Sequence, residues 1–138
     1  MRGAPSVGVK ADPPSRPWVS SDVGDEASTA AAVARFADAF DRHDVDGVMA
    51  AMTQDCVFET TAPPDGRRHV GPTAVRAAWT AFFVESADSV FEAEDQIIRG
   101  DRAIVLWRYT WEGGHVRGID VFRVRDGLVA EKVSYVKG

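Results

Sequence analysis

Residues 89–98, 102–111, 115–124 and 128–136 form four strand-like runs, rich in β-branched and aromatic side chains, and they constrain the fold more than any other feature. The pairs Gly100-Asp101, Gly113-Gly114 and Asp126-Gly127 separate them, and turns this short join only antiparallel neighbours. The second half of the chain is therefore an antiparallel meander, which must bury one face against other elements. The first half supplies them. Ala32, Val33, Phe36, Ala37 and Phe40 fall at helical spacing, with Ser28 as candidate N-cap and an end near Arg42. Asp44 caps a short helix carrying Val45, Val48, Met49 and Met52, and Gly71-Pro72 opens a third with Val75, Ala78, Trp79, Phe82 and Phe83. Between them, Cys56 to Thr61 reads as a strand stopped by Pro63-Pro64-Asp65-Gly66. The order α-α-β-α-β-β-β-β predicts an α+β domain, with the helices on one face of a curved sheet.

Residues 1–27 stand apart. They hold four of the seven prolines and no apolar period, so they read as a disordered arm before a single domain at 28–138, with Trp18 its one large aromatic. A chain of 138 residues buries enough surface to fold without disulfides or a structural metal. Cys56 is the only cysteine, so no intrachain disulfide forms, which fits a reducing cytoplasm. A net charge of −5 argues against a nucleic-acid partner, and the short cluster Arg67-Arg68-His69 reads as a solvated loop. No run is apolar enough for a signal peptide or membrane span. His43, His69 and His115 lack metal-ligand spacing, Cys56 has no adjacent histidine, and Gly113-Gly114 lacks the following helix a phosphate loop needs. The expectation is a protein with no cofactor and no metal.

The meander also predicts which side chains share a face, because cross-strand partners point the same way. A two-residue turn at Gly113-Gly114 pairs Trp111 with Val116, Tyr109 with Gly118 and Trp107 with Asp120. One face then carries Val105, Trp107, Tyr109, Trp111, Val116, Asp120, Phe122 and Val124; the other carries Leu106, Arg108, Thr110, Arg117, Ile119, Val121 and Arg123. The aromatic face should meet the helices, with Asp120 its one acid. A three-residue loop would reverse the faces and turn Arg108 inward. Burial among aromatic rings disfavours the charged form of a carboxyl group, so Asp120 is the candidate acid/base or hydrogen-bond donor. Its alternative role is to tie the sheet together. Trp79, Phe36, Phe58, Trp107 and Tyr109 are candidate ligand contacts, and Thr60 offers a hydroxyl. For the last strand, a two-residue turn at Asp126-Gly127 sets Val133 and Tyr135 beside Asp120, whereas a three-residue loop with a bulge sets Lys132, Ser134 and Val136 there.

The element order, together with Asp41-Arg42-His43-Asp44-Val45-Asp46-Gly47, Gln54-Asp55-Cys56-Val57-Phe58, the Gly71 helix start and Gly118-Ile119-Asp120-Val121-Phe122, resembles the nuclear-transport-factor-2-like superfamily. Within it the chain is similar to SnoaL-like and ketosteroid-isomerase-like proteins over about 110 residues. The resemblance implies a cone-shaped half-barrel with a pocket between helices and sheet. It places the isomerases' general base at Thr60, their oxyanion tyrosine at Phe36 and their second acid at Asp120. In the limonene-epoxide-hydrolase pattern, the catalytic tyrosine and asparagine fall on Phe58 and Thr60 and the last acid on Ser134. Threonine does not abstract a carbon-bound proton near neutral pH, so steroid isomerisation by that mechanism is not expected. The resemblance favours the bulged alternative for the last strand, and hence Ser134 as a pocket residue. Two functions follow: a cofactor-independent isomerase, cyclase or dehydratase acting through Asp120 on a small apolar, carbonyl-bearing compound, or a noncatalytic ligand-binding or protein-interaction module of the same fold. Leu106, Ile119 and Val121 on the outer face predict a homodimer.

Overall fold

Residues 22–138 are described by the computed structural model of the chain. The arm assigned to residues 1–27, with Trp18, lies outside them up to residue 21. Three helices, α1 (Asp22–Asp41), α2 (Val45–Ala50) and α3 (Pro72–Glu85), accompany six strands: β1 (Met52–Glu59), β2 (Arg68–Val70), β3 (Val90–Arg99), β4 (Arg102–Trp111), β5 (Gly114–Arg125) and β6 (Leu128–Val136). The strands form one sheet in the order β2-β1-β6-β5-β4-β3, antiparallel throughout except for the parallel pair β1–β6. Phe36, Val48, Val75, Trp79, Cys56, Phe122 and Val129 fill the space between helices and sheet. A fully buried side chain of this size contributes roughly 1.5–3 kcal/mol. No described helix is long and apolar enough to cross a membrane.

Local chemistry accounts for most element ends. Asp44 caps α2 by accepting from the Gly47 N–H at 2.9 Å, and Pro72 starts α3. Three boundaries differ from the sequence expectation. Helix α1 begins at Asp22 rather than after Ser28. Its early turns are held by polar tertiary bonds that leave no apolar period: Thr29 Oγ1 donates to the Gly100 carbonyl at 2.7 Å, and Glu26 accepts from the Gly100 N–H at 3.0 Å. Strand β1 starts at Met52, not Cys56, because Val129 N–H binds the Ala51 carbonyl and pulls this stretch against β6. The segment Arg67-Arg68-His69, read as a solvated loop, contains most of β2, which pairs with β1 through Val57↔Val70, Phe58↔His69 and Glu59↔Arg68. Three residues are too few to show a period.

The β4–β5 hairpin turns at Glu112-Gly113, with Gly113 at φ 105°, and Gly114 already pairs with Trp111. Trp107 therefore stands opposite Gly118, and Asp120 opposite Val105. The shift from the expected register is two residues, so every side chain keeps its expected face. Glycine explains the choice. Each indole lies over a glycine, Trp111 over Gly114 and Trp107 over Gly118, and a Cβ at Gly118 would fall on the Trp107 ring and on the Tyr135 carbonyl oxygen. Gly118→Ala is expected to destabilise the fold by about 1–3 kcal/mol in a denaturant titration and to change the tryptophan emission. Wild-type stability in that variant would show that the sheet opens freely there.

Candidate functional site

Two irregularities on β6 decide what surrounds Asp120. Asp126 and Gly127 both have positive φ, at 54° and 75°, which makes a two-residue hairpin turn whose twist suits the strands. Such a turn alone would bring Val133 beside Asp120. Between Val124↔Val129 and Arg123↔Glu131, however, Ala130 is an extra residue, and this bulge shifts the register so that Asp120 pairs with Ser134. The turn of one alternative thus coexists with the bulge of the other. Lys132 and Ser134 share the inner face with Asp120.

The resulting cluster is buried. Asp120 Oδ1 accepts from Trp107 Nε1 at 2.9 Å and from Ser134 Oγ at 2.7 Å, and lies 3.4 Å from Lys132 Nζ, which itself donates to Ser134 Oγ at 2.9 Å. These bonds converge on one carboxylate oxygen, and no described residue bonds Oδ2. Lys132 Nζ also sits over the rings of Phe58 at 4.9 Å, Trp79 at 5.2 Å and Phe40 at 5.9 Å. Burial pushes the Lys132 pKa below its ordinary value, while the charge and hydrogen bond of Asp120 act in the opposite direction. The bulged alternative, which sets Lys132 and Ser134 beside Asp120, is the one observed, so the acid among the rings also has a cationic partner. Lys132 precedes Ser134 by two residues on the same strand, so the choice of Ser134 already implied it.

A cavity of about 820 Å³ opens from this cluster. Asp120, Trp107, Tyr109, Trp79, Phe58, Thr60 and Ser134, all singled out from sequence, line it. Phe36 does not. It packs edge-on against Trp79 and Phe122 and lines a separate space of about 130 Å³ on the α1 side. Phe40, Phe82 and Phe91 complete the aromatic wall, and Arg67 and His69 reach it from the β2 side. Thr60 Oγ1 accepts from the Arg67 N–H at 3.1 Å and the Ala62 N–H at 3.3 Å, so it fastens the loop before β2. Cys56 is fully buried and its thiol pKa is raised by burial, which suits a packing residue and not a nucleophile.

Residues 33–132 match the SnoaL-like domain family. No curated protein matches the chain. Among solved structures, a nuclear-transport-factor-2-like protein of unknown function from Mesorhizobium loti is 38% identical, with a TM-score of 0.73 over 82% of this chain and 93% of that one. A Sinorhizobium meliloti protein provisionally named a polyketide cyclase is 26% identical (TM-score 0.65; 75% and 92% covered). One from Kribbella flavida, provisionally named a ketosteroid isomerase, shares the fold at 22% identity (TM-score 0.69; 83% and 81%). The match spans the helices and strands that build the cavity wall, and the cone of three helices on a mostly antiparallel sheet is the one these structures share: the chain belongs to the SnoaL-like domain family.

Proposed function

We propose that the protein binds a small apolar, carbonyl-bearing molecule in the aromatic cavity and performs cofactor-independent acid/base chemistry on it through Asp120. The observation that carries this reading is the asymmetry of the carboxylate: Trp107, Ser134 and Lys132 hold Oδ1, and none engages Oδ2. A carboxylate fixed in this way presents one oxygen to a ligand at little further ordering cost. It can take a proton from the carbon next to a carbonyl, while the Lys132 cation steadies the negative charge that develops. Isomerisation, cyclisation and dehydration all begin with such a transfer. In D2O, the wild type is expected to speed exchange of the α-protons of 2-decalone by on the order of 10²–10⁴-fold, followed by NMR, and Asp120→Asn is expected to lose the effect. Tight binding of the ketone without exchange would overturn the catalytic reading.

That outcome would support the second reading, a noncatalytic binder of the same fold. It is favoured by Thr60, on which the resemblance places the isomerase base and whose hydroxyl is committed to two backbone N–H groups.

The outer sheet face supports self-association. Ile119 lies between Leu106 and Tyr135, and Val121 between Ile104 and Val133, forming a continuous apolar patch flanked by arginines. Tyr135 is 56% exposed in the single chain. A two-fold homodimer through this patch is expected at micromolar concentration in sedimentation, and Val121→Arg is expected to shift it to monomer. A monomeric wild type would exclude that interface. The buried, unpaired Cys56 fits a cytoplasmic setting.

A further inference from the structure

We infer that Lys132 is a covalent carbonyl-capture residue, whose amine condenses with an aldehyde or ketone in the cavity to form an imine. The inference rests on the reading that the cavity takes a carbonyl compound, and it adds a bond which that reading does not require.

Composition makes the position unusual. The chain has 13 arginines and 3 lysines, Lys10, Lys132 and Lys137. Every described arginine is intermediate or exposed, whereas Lys132 is 6% exposed. For a buried ion pair alone, the forked guanidinium is the better partner of a carboxylate. An amine at this position can do what a guanidinium does not: lose its proton and attack carbon. The surroundings suit that step. Aromatic rings replace water around Nζ, so the ammonium is poorly solvated, and burial draws its pKa down. Ser134 Oγ touches both Nζ and Asp120 Oδ1, and so forms a proton path between amine and acid.

The step balances within these groups. The ammonium passes one proton to Asp120 through Ser134, and the free amine pair attacks the carbonyl carbon as the π pair moves to oxygen. A second proton moves from nitrogen to that oxygen, giving a carbinolamine. Asp120 then protonates the hydroxyl, which leaves as water while the nitrogen pair closes the C=N bond. The product is a protonated imine beside a carboxylate, so one cation and one anion face each other before and after. The three ring faces that surround the ammonium receive the iminium equally well.

The test is reductive trapping of the full-length protein at pH 7 with cyanoborohydride and three probes of different shape: pentanal, cyclohexanone and 2-naphthaldehyde. Adducts are mapped by peptide mass spectrometry, and tryptophan quenching without reductant reports binding of the naphthaldehyde. The cavity holds a bound carbonyl against an amine whose ammonium is enclosed by rings, so Lys132 is expected to be labelled at least about tenfold faster than the exposed Lys137 by one or more probes. Lys132→Arg, which keeps the charge beside Asp120, is expected to lose that fast adduct. Absence of preferential labelling at Lys132 in the wild type overturns the inference, whatever the variant does. If ketone exchange and tryptophan quenching persist in that case, the acid/base reading stands and only the imine is removed. If both also fail, the carbonyl reading falls with it.

Discussion

Asp120→Asn is expected to cost the fold about 3–5 kcal/mol at pH 7, and the loss is expected to shrink as the pH rises. The substitution removes the charge facing Lys132, whose Nζ lies 3.4 Å from Oδ1 and whose remaining neighbours are ring faces and one hydroxyl. A buried ammonium without a counter-charge must either stay charged in a poor solvent or release its proton. Burial already places the Lys132 pKa below its ordinary 10.5, and Asp120 supplies both influences that raise it, so the variant's value falls further. Between the folded and unfolded values the unfolded chain holds the extra proton, so stability increases with pH. The variant should gain roughly 1.4 kcal/mol per pH unit inside that window, more widely than wild type, with the gain ending near the unfolded value. Lys132→Met combined with Asp120→Asn removes both charges and should recover most of the loss, as neutral replacements of buried pairs do. Urea titrations of wild type, Asp120→Asn, Lys132→Met and the double variant from pH 6 to 9.5 give both the slope and the coupling. A variant as stable as wild type at pH 7, or a penalty that grows with pH, would mean that the two groups do not act as a pair. The double variant keeps the fold while removing both groups, so α-proton exchange retained in it would overturn the acid/base reading.

Trp79→Ala should be equally costly, at about 3–5 kcal/mol in guanidinium, for a different reason. The indole is 1% exposed. It stacks on Phe58 with ring centres 4.0 Å apart and planes 12° from parallel, and it meets Phe36 and Phe40 edge-on at 5.7 and 5.9 Å. Helix α3 is fastened to β1 through this stack, so removing the ring leaves a void between two elements that cannot close on each other. Trp79→Phe should lose only roughly 1–2 kcal/mol. The Trp79 Nε1 has no hydrogen-bond partner among the described residues, so the phenyl ring forfeits volume and no hydrogen bond. A Trp79→Ala protein within 1 kcal/mol of wild type would place the core elsewhere.

Much of this architecture was legible in the sequence because the informative signals are local. Gly-bearing turns, the Asp44 cap and Pro72 each act within a few residues, and they located five strands and three helices, with only the starts of α1 and β1 well off. The parity of the β4–β5 hairpin was legible too, and with it the inward direction of Asp120 and Trp107. What could not be read depends on distant partners. Strand β2 exists because β1 offers it an edge. The two-residue register shift follows from Trp107 needing a position without a Cβ, which becomes visible only when Gly118 is considered as a neighbour across the sheet. The bulged alternative set Lys132 beside Asp120, yet only Ser134 was singled out there. A lysine in an alternating strand is ordinarily a solvent-facing residue, and its own strand does not say that a carboxylate and three rings will enclose it.

The bulge at Ala130 gives this site an uncommon genetic property. Along a strand, identity and direction are separate inheritances: residue type is written by each codon, but the side on which it is displayed is written by the count of codons before it. Loss of the single codon for Ala130, however, would set Glu131 directly after Val129 and still opposite Arg123, so Lys132 and Ser134 would keep Phe122 and Asp120 as partners and stay inward. A regular ladder at the present length would instead bring Val133 to Asp120 and Tyr135 to Gly118, and turn Lys132 and Ser134 outward. A lineage carrying this fold can therefore shed or regain the extra residue at this one place without changing which side chains line the cavity.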